Sequence, residues 1–112
     1  MMKLLITGSR TFNDKILLFS ELDKLDFDIL ISGGAKGTDK IAEEYAINNN
    51  IPIDQHKPNY SKYGRGAPIV RNKEMVEFGD MVIAFWDGKS KGTKSTIDYA
   101  KKLNKEIITI KF

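Results

Sequence analysis

Cysteine is absent from this chain of 112 residues, which also holds a single histidine. Without cysteine there are no disulfides and no thiolate ligands for a metal, and the lone His56 has no second histidine with which to build a zinc site. No apolar run approaches the roughly 18 residues that a membrane span needs, and the chain opens without a long apolar signal segment. We therefore expect a cytoplasmic protein without a membrane partner, a disulfide or a bound metal.

The chain is long enough to bury a core, and we expect one domain over residues 1–112. The net charge of +3 is modest, but the segment 57–73 is basic and contains no acidic residue. Such a segment concentrates positive potential and attracts anions, although a solvated basic loop is the alternative interpretation. Its cations are Lys57, Lys62, Arg65, Arg71 and Lys73.

Apolar segments of strand length alternate with segments of helical periodicity along the chain. This alternation predicts an α/β fold, a single Rossmann-like three-layer domain whose mainly parallel five-stranded sheet has the order 3-2-1-4-5 and helices on both faces. Residues 57–66 have no periodicity and predict a long loop. The predicted strands are 3–7, 27–32, 51–56, 81–85 and 106–112, and the predicted helices start at Asn13 or Asp14 and cover about 39–48, 67–78 and about 93–103.

A strand, a glycine loop and a helix follow one another between Ile29 and Ala46. Glycine permits a close approach of backbone N–H groups to an anion, which the positive end of a helix dipole also attracts. The loop that contains Gly33, Gly34 and Gly37 therefore predicts phosphate or carboxylate binding. The alternative is a tight turn in which Thr38 or Asp39 caps the helix.

Two further loops carry glycines, hydroxyls and cations: Gly8-Ser9-Arg10 after the first strand and the segment from Gly88 to Thr93 after the fourth. In the order 3-2-1-4-5 the first and fourth strands are neighbours where the strand order reverses, which is where such sheets receive ligands. We therefore expect three sequence-distant loops to meet at one edge of the sheet.

Three common enzyme motifs do not fit. Gly88-Lys89-Ser90 lacks the earlier glycine of a P-loop, since Ile83 stands there, and the loop after Ser32 has neither the spacing nor the position of a dinucleotide fingerprint. No serine lies in a G-x-S-x-G elbow. A P-loop ATPase and a hydride-transfer enzyme are accordingly disfavoured.

Four motifs, in order, resemble the YspA-type branch of the SLOG superfamily: Thr7-Gly8-Ser9-Arg10, Ser32 to Asp39, Arg71 to Met75, and Phe85 to Thr93. The resemblance covers nearly the whole chain. It implies a Rossmann-like domain that binds a nucleotide or a nucleotide-derived ligand, as a sensor or processing module often found in phages and mobile elements. The superfamily also includes the DprA single-stranded DNA-binding proteins and the LOG-type phosphoribohydrolases, which cleave nucleoside monophosphates.

The resemblance carries over binding positions more readily than catalytic ones. Arg71 matches the arginine beside the substrate in LOG-type enzymes, and Gly92-Thr93 matches their phosphate loop. The acidic residues that follow that loop are replaced here by Ser95 and Thr96. A carboxylate that assists glycosidic cleavage is thus missing, which argues against an enzyme, although Asp39 or Asp87 remain as catalytic candidates.

Aromatic residues lie near two of these segments. Trp86 can stack on a base at the end of the fourth strand. Tyr60 and Tyr63, which alternate with Lys62 and Arg65, can form either a lid over a small ligand or a surface for single-stranded nucleic acid. We favour the lid, because one loop is a small footprint for a polymer.

We expect this chain to bind a nucleotide or nucleotide derivative, with no other cofactor. The alternatives are an N-glycosidic hydrolase of the phosphoribohydrolase type and a DprA-like single-stranded DNA-binding protein, and self-association into a homo-oligomer is open. The expected ligand-binding residues are Gly8, Ser9, Arg10, Gly33, Gly34, Ala35, Lys36, Gly37, Asp39, Arg71, Asn72, Trp86, Ser90, Gly92 and Thr93.

Overall fold

The computed structural model describes residues 1–112. Five strands and five helices follow one another, with a short 3₁₀ turn over Gly64–Gly66. The strands are β1 Lys3–Gly8, β2 Ile29–Ser32, β3 Ile53–Gln55, β4 Met81–Trp86 and β5 Glu106–Lys111. The helices are α1 Lys15–Asp23, α2 Thr38–Asn48, α3 Tyr60–Tyr63, α4 Ala67–Phe78 and α5 Lys91–Lys102.

The strands form one parallel sheet in the order β3-β2-β1-β4-β5, which confirms the predicted Rossmann-like fold. Leu5 of β1 pairs with Ile31 on one side and with Val82 on the other. Because β1 and β4 are adjacent where the order reverses, the loops that follow them diverge to opposite faces of the sheet and leave an opening between them.

Both faces of the sheet are covered, because successive residues of β1 point to opposite sides. Leu4 and Ile6 pack in a cluster with Leu18 of α1 and Ala42 of α2. Leu5 packs on the other face, in a second cluster with α4 and α5. None of the helices combines the length and the apolar character that are required to cross a bilayer.

The element boundaries differ from the predictions mainly at loops. Residues 57–66, predicted as an irregular loop, contain α3, because the side chain of Asn59 accepts a hydrogen bond from the Lys62 amide and starts a helical turn. Asp14 caps α1 through the Leu17 amide at 3.0 Å, as predicted. Helix α5 begins at Lys91, two residues before the predicted start.

Candidate functional site: a crevice between the β1 and β4 loops

A crevice of about 420 Å³ opens at the carboxyl ends of β1 and β4. Its walls come from the end of β1, the β2–α2 loop, the first turns of α4 and the β4–α5 turn, so loops from distant parts of the chain meet there as the sequence predicts. The lining residues are Thr7, Gly8, Ser9, Arg10, Thr11, Ala35, Asp39, Pro68, Arg71, Asn72, Met75, Asp87, Ser90, Gly92 and Thr93.

Gly8 and Ser9 join β1 to both neighbouring loops. A Cβ on Gly8 would lie 2.6 Å from the Phe85 carbonyl oxygen and would overlap the side chain of Thr38, so only glycine fits. The buried Ser9 accepts a hydrogen bond from the Thr38 hydroxyl at its carbonyl oxygen and another from the Asp87 amide at its Oγ. Ser9 therefore fixes the positions of α2 and of the β4–α5 turn around the crevice.

The β2–α2 loop uses part of its backbone to hold itself together. The Gly34 amide donates to Ser32 Oγ at 3.1 Å, and the Ala35 amide donates to Asp39 Oδ2 at 3.1 Å. These two N–H groups are therefore not bare, in contrast to the expectation from the glycine pattern. Gly37 has a φ of +81° and takes the N-cap position of α2, so neither Thr38 nor Asp39, the capping residues of the alternative interpretation, caps this helix.

The β4–α5 turn is organised by Asp87. Its Oδ1 accepts hydrogen bonds from the Lys89 and Ser90 amides, both at 2.8 Å, and these bonds hold the pKa of Asp87 below its usual value. The N-cap Ser90 makes no side-chain capping bond, and the first turn of α5 carries no acidic residue. The first backbone amides of α5, including that of Gly92, thus remain to receive an anion.

Arg71 of α4 is the central cation of the crevice. Its Nη1 donates to the carbonyl oxygens of Gly33 (3.1 Å) and His56 (3.2 Å), and its Nε donates to Asn72 Oδ1 (2.8 Å). Burial lowers the pKa of Arg71, and the nearby Asp39 carboxylate opposes that shift. Arg71 therefore ties the loops after β2 and β3 to α4, and Nη2 makes no bond within the protein.

Asp39 is a buried carboxyl group in the wall of the crevice. Burial raises its pKa to about 6, although the Ala35 amide and the Arg71 guanidinium act in the opposite direction. A carboxyl group that exchanges its proton near neutral pH can serve as an acid or a base. Of the two predicted catalytic candidates, Asp39 fits that chemistry better than Asp87, which is held ionised by the turn.

A second cavity of about 490 Å³, which we call the Tyr60 chamber, adjoins the crevice. The two cavities share four wall residues, Arg10, Ala35, Pro68 and Arg71. The predicted residues Gly33 and Gly34 lie here rather than in the crevice. The remaining residues of the chamber are Lys40, Gln55, Lys57, Pro58 and Tyr60.

Three predicted site residues line neither cavity: Lys36, Gly37 and Trp86. Trp86 donates its indole N–H to the Ser90 carbonyl oxygen at 3.0 Å, while Lys111 covers its ring. The indole therefore supports the β4–α5 turn, and one face of its ring lies under Lys111. Lys36 is exposed to solvent. Gly37 has a structural role, because a Cβ there would overlap the Arg10 carbonyl group.

Sequence reasoning missed several residues that line the cavities. Two threonines add hydroxyls to the crevice: Thr7, which opens the Thr7-Gly8-Ser9-Arg10 motif but is not among the expected ligand-binding residues, and Thr11, which follows that motif. Pro68 and Met75 come from α4. Gln55 reaches the Tyr60 chamber from β3 and donates to Glu43 Oε2 at 2.8 Å. The position next to a glycine motif was the available signal for the threonines. No local pattern marks Gln55.

A family model, YAcAr (YspA, cpYpsA-related SLOG family), matches residues 2–63. Over 119 aligned residues the chain is 33% identical to the Gene 61 protein of Mycobacterium phage D29, with 96% of this chain and 95% of that protein covered. It is also 32% identical over 65 residues to the uncharacterised SPbeta prophage-derived protein YoqJ of Bacillus subtilis, with 55% of this chain and 37% of YoqJ covered.

Two solved structures of DNA processing protein A share the fold. The Streptococcus pneumoniae protein (DprA) has a TM-score of 0.77 at 15% identity, and the Helicobacter pylori protein, solved to describe its single-stranded DNA binding mode, has a TM-score of 0.74 at 24% identity. This chain is covered to 97% and 96%, but it spans 50% and 64% of theirs. The family model and the phage relative show that this chain belongs to the YspA, cpYpsA-related SLOG family.

Proposed function

We propose that this domain binds a nucleotide or nucleotide-derived ligand through its phosphate, as a sensor or processing module. The observation that carries the proposal is the meeting of the α5 N-terminus, Arg10 and Arg71 at one crevice. Guanidinium groups and helix N-terminal amides both favour phosphate, and a half-buried site strengthens these interactions by limiting competition from water. The crevice volume lies within the usual range of about 300 to 1,000 Å³ for small-molecule sites.

Arg10 allows a clean test, because its exposed side chain makes no hydrogen bond or ion pair within the protein. Isothermal titration with nucleoside mono- and diphosphates should detect binding. We expect Arg10→Ala to weaken it about tenfold or more, with the free energy of unfolding changed by less than about 0.5 kcal/mol. The control Lys102→Ala removes an exposed cation outside the crevice and should bind like the wild type. Equal affinities for Arg10→Ala and the wild type would contradict the proposal.

Hydrolysis of the bound nucleotide is the second candidate function, and the buried Asp39 with its pKa near neutrality favours it. Such a group could protonate a departing base or activate water. Incubation with nucleoside monophosphates should then release free base, and Asp39→Asn should abolish release while binding persists. If the wild type binds nucleoside monophosphates tightly but releases no detectable base, the hydrolase is excluded and binding is the only function left.

Single-stranded DNA is the alternative partner, since a fold neighbour from H. pylori is described by its binding of single-stranded DNA. The cations Lys62 and Arg65, which a DNA strand would contact in this hypothesis, line neither cavity, and Lys62 lies over the ring of Tyr63. A DNA strand bound there would therefore lie outside the crevice and the Tyr60 chamber. A polymer bound through many phosphates would lose affinity steeply with added salt. Titration with an oligonucleotide at two salt concentrations separates this partner from a mononucleotide.

A further inference from the structure

The crevice and the Tyr60 chamber are two compartments that meet at Arg10 and Arg71. The two arginines are close enough that Arg10 contributes to lowering the pKa of Arg71. Two neighbouring guanidinium groups repel each other unless an anion lies between them. The junction of the two compartments is therefore the point at which a phosphate or pyrophosphate is most strongly favoured.

The compartments differ in chemistry on either side of this junction. The crevice carries two carboxyl groups, Asp39 and Asp87, and five hydroxyl-bearing residues. Carboxylates and hydroxyls are the groups that hydrogen-bond the hydroxyls of a sugar, as the acidic residue of dinucleotide-binding folds does with ribose. The five hydroxyl-bearing residues are Thr7, Ser9, Thr11, Ser90 and Thr93.

The Tyr60 chamber contains no acidic residue, and its wall includes the cations Lys40 and Lys57 besides the two arginines. Tyr60 is 60% exposed and lines the chamber, as do Pro58 and Pro68. An aromatic ring among cations suits a nucleobase that is linked to phosphate. The side-chain carbonyl of Gln55 makes no bond within the protein and is free to accept one from a base amine.

From this asymmetry we propose that the ligand is a nucleoside diphosphate sugar. Its base lies in the Tyr60 chamber, its pyrophosphate lies between Arg10 and Arg71 and faces the α5 N-terminus, and its sugar lies among the carboxyl and hydroxyl groups of the crevice. This inference rests on the proposed function and narrows its ligand. A mononucleotide fills one compartment and leaves the other to water. A molecule with a pyrophosphate between two polar ends engages both compartments and the junction together.

The test is a calorimetric comparison of matched ligands: the monophosphate, the diphosphate and a diphosphate sugar of adenosine (with ADP-ribose), uridine (UDP-glucose) and guanosine (GDP-mannose). For one nucleoside at least, we expect the diphosphate sugar to bind at least tenfold tighter than the diphosphate. Tyr60→Ala should weaken binding of that diphosphate sugar about tenfold and leave binding of inorganic pyrophosphate unchanged. The matched control is Tyr63→Ala, which removes a tyrosine of the same helix that lines neither cavity.

The inference is overturned if the sugar adds no affinity in any of the three series, or if Tyr60→Ala weakens pyrophosphate binding as much as diphosphate-sugar binding. Binding of monophosphates without a gain from the sugar would leave the proposed function standing while this inference fails. If neither the nucleotides nor pyrophosphate binds, both fail.

Discussion

The crevice and a groove between α4 and α5 have nearly the same volume, about 420 and 430 Å³, but are built differently. The groove, which we call the lysine groove, is lined by four lysines, Lys73, Lys91, Lys94 and Lys102, together with Ser95, Asp98 and Tyr99. Its one ion pair, Lys94 with Asp98 at 2.7 Å, joins two side chains that are more than half exposed. The lysine groove thus holds more positive charge than the crevice with less fixed structure.

The two cavities differ in how firmly their polar groups are held. In the crevice, Ser9 is buried and Arg71 makes three hydrogen bonds, so its polar groups are held in place before a ligand arrives. A flexible lysine must lose side-chain entropy on binding, and exposed ion pairs contribute little. On this ground we propose the crevice, rather than the lysine groove, as the ligand-binding site. The following substitutions test the contrast between the two cavities.

The largest expected effect on stability comes from a substitution that distorts the backbone of the β2–α2 loop, which forms one wall of the crevice. Gly37→Ala puts a side chain on a residue with φ +81° and against the Arg10 carbonyl group. We expect a loss of about 3 kcal/mol or more in the free energy of unfolding, measured by urea titration. Gly92→Ala is the control, because a Cβ there meets nothing within 4 Å and should cost no stability. Similar stabilities for the two variants would contradict the view that the crevice depends on this turn.

The next effect concerns Asp39, the buried crevice acid, which has no buried counterpart in the lysine groove. Its pKa is about 6 in the folded protein against 3.8 unfolded, so between these values the folded state binds more protons. Stability from this group is therefore present below pH 3.8 and is lost as the pH rises through 6, by up to about 3 kcal/mol. The stability of Asp39→Asn minus that of the wild type should rise by about 2 kcal/mol from pH 4 to pH 7, because part of the loss has already occurred at pH 4. A pH-independent difference would exclude the raised pKa.

The third prediction compares Arg71, a cation that hydrogen bonds hold in place in the crevice, with Lys94, an exposed cation of the lysine groove. Arg71→Ala removes charged hydrogen bonds to two loop carbonyls and should cost about 2 kcal/mol of stability as well as ligand affinity. Arg71→Lys should restore little, because one ammonium group does not reproduce the guanidinium fork. Thermal unfolding measures the stability of both Arg71 variants, and calorimetric titration with a nucleotide measures their ligand affinity. In the lysine groove, Lys94→Ala should change stability by less than about 1 kcal/mol. Equal losses from Arg71→Ala and Lys94→Ala would remove the distinction between the two cavities.

The fold was accessible from the sequence because the apolar runs of the central strands, such as Leu4-Leu5-Ile6, are buried on both faces and helical segments alternate with the strands. The meeting of the three loops followed from that topology. The hydrogen bonds and the burial that depend on packing between distant segments could not be predicted from the sequence. The bonds of Arg71 to Gly33 and His56 join residues far apart in sequence, and the bond of Trp86 to Ser90 depends on the turn that Asp87 sets. The burial of Asp39 likewise follows from the position of α2 against the sheet.

The most direct test of the central claim is the amide NMR spectrum of the ¹⁵N-labelled protein during titration with the tightest-binding nucleotide of the calorimetric series. We predict that the largest shifts fall on Arg10, Gly92 and Thr93, where the crevice loops meet. Shifts confined to Lys94, Asp98 and Lys102 in the lysine groove, with the crevice amides unchanged, would contradict it.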